Sequence, residues 1–197
     1  DDPDLQKKFS ETYWKEKPKN YFLSKISPDN NNEKKTSKIR IGYFSGDFND
    51  HAVFQLIQDL FVNHDKSIFD IYAYSTFKKD GIQRDKIIKY THKFIDLDKL
   101  SDEEIVRVVK SDRLDFAIDL SGYTAHNKCH LFEYDIAKIK INYLGFPGSM
   151  GTKQYNYIIA DKNIIPEKQI NFYSEEVIYW PDTYQPFTPY VFSMDVK

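Results

Sequence analysis

Asp115-Phe116-Ala117-Ile118-Asp119-Leu120, followed by Ser121-Gly122-Tyr123-Thr124, is the stretch whose reading decides the fold. Its first six residues are near-continuously apolar, the pattern of a strand covered on both faces. A strand covered on both faces belongs in a parallel sheet with helices above and below. Gly122 marks a sharp turn at its end, and Thr124 is placed to cap a following helix. That predicts a strand, a turn and then a helix from about Asn127 to Ala137.

Outward from this unit the same alternation repeats. Ile39-Arg40-Ile41-Gly42-Tyr43-Phe44, Phe69 to Tyr74 and Lys93-Phe94-Ile95-Asp96 read as strands on its amino-terminal side. Between them, Phe54 to Val62 carries Phe54, Ile57, Leu60 and Phe61 at helical spacing, and Gln83 to Tyr90 is a second helix. Ser101-Asp102-Glu103-Glu104 is a capping box that opens a helix carrying Ile105, Val108 and Val109. On the other side, strands fall near Lys140–Leu144, Tyr157–Ala160 and Val177–Tyr179. The β-α-β-α order implies an α/β fold, a Rossmann-like doubly wound, mostly parallel sheet. Asp1 to Trp14 is a short amphipathic helix with Asp2-Pro3-Asp4 as its start signal. Lys15 to Ser37, with Pro18, Pro28 and an Asn/Lys run, reads as an exposed linker. The expected organisation is therefore an amino-terminal helix and linker (1–37), the lobe itself (38–185) and a ring-rich tail (186–197).

Composition narrows the function classes. The chain has 197 residues, 41% hydrophobic and 29% charged, which suits one folded unit rather than a disordered segment. With 15 Tyr, 15 Phe and only 7 Gly, the core must be built largely from rings and Ile. Lys+Arg 28 against Asp+Glu 30 leaves a net charge of −2, which argues against a nucleic-acid surface. No apolar run is long enough to span a membrane, and the first 30 residues hold no signal-peptide core. The single cysteine, Cys129, excludes an internal disulfide and a multi-cysteine zinc site. A reducing, cytoplasmic setting fits. The chain begins at Asp1 rather than Met and reads as part of something longer.

Open parallel sheets bind ligands outside the carboxyl ends of their strands. That rule selects three loops: Ser45–His51, Ser121–His126 and Gly145–Gly151. In the first, His51 stands where a strand hands over to a helix. A helix N-terminus carries partial positive charge and favours a neutral imidazole, which can accept a proton. Taken alone, His51 is more simply a cap or core histidine, and Asp47 and Asp50 are more simply turn residues. In the second loop, Gly122 and Thr124 form a fair anion or sugar-hydroxyl site, or an ordinary turn. In the third, Leu144-Gly145-Phe146-Pro147-Gly148-Ser149-Met150-Gly151 has three glycines in seven residues, which lets backbone approach a ligand. It is neither a Walker A loop nor a GxGxxG loop. Two other patterns are weaker. Asp96-Leu97-Asp98 has the DxD form of metal-dependent glycosyltransferases, yet it runs straight into the capping box. His126 and His130 could share a helix face and a metal, although a solvated helix face is the simpler reading.

Together the three loops are more specific than any one. Ile41 to His51 resembles the opening of the catalytic region of the protein O-GlcNAc transferase and SPINDLY glycosyltransferase family, bacterial members in particular. Asp115 to Thr124 resembles its next hallmark, and Asn142 to Gly151 followed by Tyr157-Ile158-Ile159-Ala160-Asp161 resembles a third. Ile165-Pro166, Tyr173-Ser174-Glu175 and Tyr179 to Gln185 continue the likeness, which covers roughly Lys38 to Gln185.

The resemblance implies one lobe of a GT-B glycosyltransferase that performs inverting transfer of a sugar from a nucleotide sugar to Ser or Thr hydroxyls of proteins. UDP-GlcNAc is the implied donor, with GDP-fucose as the alternative. No metal and no cofactor is implied, since the nucleotide sugar is a substrate. His51 aligns with a histidine at the sugar and acceptor and is the implied catalytic residue, and Asp47, in the same motif, is an implied substrate-binding residue. Leu144, Gly145 and Pro147 align with the loop lining the sugar, and Tyr123 and Thr124 with the loop beside it. The implied partners are a carboxyl-terminal nucleotide-binding lobe and amino-terminal tetratricopeptide repeats, neither within this chain, so the lobe alone should be inactive. Asp115 replaces a family histidine discussed as catalytic, so that role does not carry over. The competing reading is a non-catalytic protein-interaction module that keeps the fold.

Overall fold

In the computed structural model, the described residues are 2–18, 23, 25, 26 and 37–186. Among these residues seven strands form one sheet: β1 (Ile39–Ser45), β2 (Phe69–Ser75), β3 (Lys93–Asp96), β4 (Leu114–Asp119), β5 (Ala137–Tyr143), β6 (Tyr157–Ala160) and β7 (Glu176–Tyr179). Their order is β3-β2-β1-β4-β5-β6-β7, and every pairing is parallel. The chain winds from β1 outward to β3, then returns to place β4 on the other flank of β1. The switch point therefore lies between β1 and β4, which open a crevice at their carboxyl ends.

Among the described residues, the α-helices with full bounds are α1 (Pro3–Glu16), α2 (Ala52–Asn63), α3 (Ile82–Tyr90) and α4 (Asp102–Asp112). Strand residues alternate between two cores. Tyr43, Ile71, Ala73 and Ile118 join Phe54, Ile57 and Phe61 of α2 and Ile87 of α3 on one face. Phe44, Tyr72, Tyr74 and Ala117 join Ile105, Val106 and Val109 of α4 and Trp14 of α1 on the other. The sheet is thus covered on both faces, and rings and Ile dominate each core, as composition required. The capping box forms as read: Ser101 Oγ accepts from Glu104 N–H, and the Glu104 carboxylate accepts from Ser101 N–H. On α4, Val106 is buried beside Ile105 and Val109, while Val108 is only partly buried. Asp2 caps α1, its carboxylate accepting from the Asp4 and Leu5 amides at 3.1 Å each.

Two expectations need correction. No α-helix lies between β4 and β5; the segment holds only a 3-10 turn at Cys129–Glu133. Cys129, Leu131, Phe132, Tyr134 and Ile136 are all buried. At helical spacing those five would point to all sides, so no single helical stripe could bury them. Lys140, on β5, donates to the carbonyls of Phe132 (2.8 Å) and Tyr134 (3.3 Å), satisfying backbone a helix would have used internally. Secondly, the segment read as an exposed linker is anchored where it is described. Leu23 and Ile26 are buried in the α4-side core, and the Ile26 carbonyl accepts from the buried Lys110 ammonium at 2.8 Å. No described helix is long and apolar enough to cross a membrane.

Candidate functional site

The first site loop leaves β1 at Ser45, whose Oγ accepts from the Asp47 amide at 2.9 Å. Asn49 donates to the Gly46 carbonyl at 3.1 Å, which closes the loop before α2. His51 is the N-cap of α2, and its Nδ1 accepts from Val53 N–H at 3.3 Å. The same Nδ1 lies 3.5 Å from Asp47 Oδ2; the imidazole is 49% exposed and the carboxylate 16%. Burial pushes the Asp47 carboxyl up, against the pull of His51 and His126. Two tautomers compete here. If Nδ1 accepts from Val53, the proton sits on Nε2. If Nδ1 carries the proton toward Asp47, Nε2 keeps a free lone pair and can act as a base. The capping role of His51 needs a bare Nδ1, whereas its chemical role at Nε2 needs Nδ1 protonated, so the two roles make opposite demands on Nδ1.

The second loop is organised by Asp119, which sequence reasoning did not select. Its Oδ1 accepts from the amides of Ser121 (2.9 Å) and Gly122 (3.0 Å), and its Oδ2 accepts from the Tyr155 hydroxyl at 2.6 Å. Tyr123 projects from this turn, donates to the Met150 carbonyl at 2.8 Å and accepts from Trp14 Nε1 at 2.9 Å. Burial holds its phenol well above the ordinary range. Thr124 Oγ1 and N–H both turn back to the Ser121 carbonyl. With no helix behind it, Thr124 caps a turn, and the helix N-terminus imagined for an anion is absent.

In the third loop Leu144 sits in left-handed backbone at φ 75°, and its side chain is buried in the α2-side core. Whatever Leu144 offers a ligand must come from its backbone. Gly145 faces the Leu120 carbonyl so closely that a Cβ would overlap it. The glycines read as making room for a ligand make room for protein instead: a Cβ on Gly148 would strike Gln6, and one on Gly151 would strike Ser10, both on α1. Ser10 Oγ donates to the Ser149 carbonyl (2.9 Å) and Trp14 Nε1 to the Met150 carbonyl (2.7 Å), so α1 braces this loop. From the far side, Glu175 accepts from Ser149 Oγ (2.8 Å) and Met150 N–H (2.6 Å).

The three loops meet at the carboxyl edge. Gly46 abuts His126, Gly122 abuts Phe146, and Tyr123 packs edge-on against Phe146 at 5.2 Å. Asp47 and His51 thus adjoin the loop of Tyr123 and Thr124, which adjoins Leu144 and Gly145. Pro147 lies apart in an open cleft of about 460 Å³ beside Gln6 and Tyr173, whose hydroxyl donates to the Pro147 carbonyl. His126 was read only as half of a metal pair. It has φ 58° and stacks on Phe77 at 4.0 Å, while His130 pairs with Asp102 at 2.9 Å. Asp96 of the DxD pattern is held by Arg84 at 2.5 and 2.6 Å.

A doubly wound parallel sheet with a loop site at its switch point defines the class, and comparison with known proteins places the chain within it. The model of glycosyl transferase family 41 matches residues 19–187, and the chain belongs to that family. Two relatives are the protein SEC of Arabidopsis thaliana, 28% identical over 148 residues, and the UDP-N-acetylglucosamine--peptide N-acetylglucosaminyltransferase of Caenorhabditis elegans, 29% identical over 149 residues. Each alignment covers 75% of this chain but only 15% and 13% of those relatives, so the chain spans about a seventh of their length. A mutant of the Thermobaculum terrenum O-GlcNAc transferase shares the fold, with a TM-score of 0.83 at 21% identity, over 95% of this chain and 36% of that one.

Proposed function

We propose that this chain is the acceptor- and sugar-side lobe of a metal-independent, inverting protein O-glycosyltransferase that transfers GlcNAc from UDP-GlcNAc to Ser or Thr hydroxyls. The observation that carries the reading is the junction of the three family loops at the switch point, with the half-exposed imidazole of His51 at one side. In the reaction the acceptor oxygen bonds to the sugar's anomeric carbon as the bond from that carbon to the diphosphate oxygen breaks. A hydroxyl does not ionise near neutral pH, so its proton needs an acceptor. His51 Nε2 takes it when Asp47 holds the Nδ1–H tautomer. Tyr123, Thr124 and the backbone at Leu144–Gly145 line the sugar side, and Pro147 extends that loop into the neighbouring cleft. Nucleotide contacts come from a second lobe beyond this chain, and tetratricopeptide repeats precede it in the same protein. A cytoplasmic location suits its one cysteine, a buried free thiol.

The test is a transfer assay on the full-length protein with UDP-GlcNAc and GDP-fucose offered separately. His51→Asn is the informative variant, because Asn caps a helix as well as any residue but is no base. Transfer from UDP-GlcNAc that falls by about 100-fold or more in His51→Asn, with an unchanged thermal melt, is expected. Transfer from GDP-fucose alone would reassign the donor. A wild type that moves neither sugar would support the interaction-module reading instead.

A further inference from the structure

Asp119 ends β4 as a buried carboxylate, and its partners among the described residues are hydrogen-bond donors without a cation: two amides on one oxygen and the Tyr155 hydroxyl on the other. The two sets of donors belong to different loops. Ser121 and Gly122 start the turn after β4; Tyr155 ends the loop between β5 and β6. Tyr155 is itself fixed, 1% exposed and stacked parallel on Phe132 with centroids 4.9 Å apart. One carboxylate therefore ties together the two loops that carry Tyr123, Thr124, Leu144 and Gly145.

We propose that Asp119 and Tyr155 are a positioning pair that sets the separation of the sugar-side loops; the inference rests on the transferase reading above. The link runs through contacts already described. The Asp119 carboxylate fixes the turn, and the turn places the Leu120 carbonyl over Gly145 and Gly122 against Phe146. Tyr123 reaches Met150 from the same turn. Neither Asp119 nor Tyr155 is exposed, so neither touches substrate; each acts through the loops it holds. A buried amide left without its acceptor bears its full desolvation cost, enough for the turn to seek water instead and move the loop edge.

The experiment is steady-state transfer by the full-length protein, UDP-GlcNAc being varied at fixed acceptor peptide, for wild type, Tyr155→Phe, Asp119→Ala and Asp119→Asn. Tyr155→Phe keeps the ring and both amide bonds while freeing Oδ2. Asp119→Asn keeps an acceptor for the amides and can donate to the Tyr155 oxygen. The expected result is a donor KM raised by about tenfold in Asp119→Ala and by a lesser factor in Tyr155→Phe. In both, kcat at saturating donor and the pH profile stay near wild type, and Asp119→Asn restores the wild-type KM. If Asp119→Ala does not fold, Tyr155→Phe against Asp119→Asn decides. An active wild type whose folded variants keep the wild-type donor KM would overturn this inference alone, as would losses in kcat that merely track the unfolded fraction. A silent wild type would overturn the transferase reading and this inference with it.

Discussion

The carbonyl oxygen of Leu120 occupies the space a β-carbon on Gly145 would need. The obstruction is backbone, which cannot rotate aside as a side chain can. The carboxyl ends of β4 and β5 are therefore held at a distance that glycine alone permits at that position. Gly145→Ala should cost about 1–3 kcal/mol, in the range of other overpacked sites. It should lower the urea midpoint without changing the slope, and weaken donor binding more than the stability loss explains.

Asp47 is expected to act on His51 rather than on substrate. Removing its charge leaves Val53 N–H as the stronger partner of Nδ1 and moves the imidazole proton to Nε2. Asp47→Asn should lower kcat by at least about tenfold with little change in KM for the donor. An unchanged kcat would assign Asp47 to the turn alone.

Trp14 joins α1 to the site loops through one N–H, which lies 2.7 Å from the Met150 carbonyl and 2.9 Å from the Tyr123 oxygen. Trp14→Phe keeps a ring in the core and removes this donor. The Met150 carbonyl still accepts from Tyr123, so the loss should be modest, about 1 kcal/mol. Trp14→Ala should cost about 3–5 kcal/mol. Thermal melts of the two variants separate the hydrogen bond from the packing.

Two histidines set the response to mild acid. Burial lowers the pKa of His64, whose Nε2 is 2.9 Å from the Tyr43 hydroxyl. Burial likewise lowers that of His130, against the opposing pull of Asp102. Both folded values lie below the unfolded value of about 6.5, so as pH falls past that point the unfolded chain takes up protons first. Stability should be full above about pH 7 and decline from about pH 6.5 downward until the folded imidazoles titrate as well. His64→Gln retains a polar partner for Tyr43 and should flatten part of this decline in a series of urea melts.

What was legible in the residues is what depends on local pattern. The strand positions followed from apolar runs with ends at Gly, Asp and Ser, and β3 and β6 fall on the residues read for them. The capping box at Ser101 and the Asp2 start of α1 formed because each uses side chain and backbone three residues apart. Where the pattern was local but the competing forces were distant, the reading failed. The segment from about Asn127 to Ala137 reads as a helix, yet burial on every side and the ammonium of Lys140 hold it as a short 3-10 turn in otherwise irregular chain.

The candidate site divides in the same way. The loops that hold His51, Asp47, Tyr123 and Thr124 are marked by topology, because strand-end loops in a doubly wound sheet are ligand positions, whereas the roles expected of those residues come from the family resemblance. Asp119 carried a faint signal, a carboxylate closing an apolar strand, but its partner Tyr155 is 36 residues away and carried none. The role of Gly148 and Gly151 was hidden for the same reason, since the neighbour that needs their missing side chains is α1, well over 100 residues earlier.

The sequence by itself determined the alternation of strands and helices, the edge of the sheet on which a site must lie, and the residue types offered there. Only the tertiary structure decided which of those residues meet, which glycines serve packing, and that α1 braces the site. The physical reason is range: periodicity and capping act over a few residues, whereas burial and buried hydrogen bonds are settled between segments that only the folded sheet brings together.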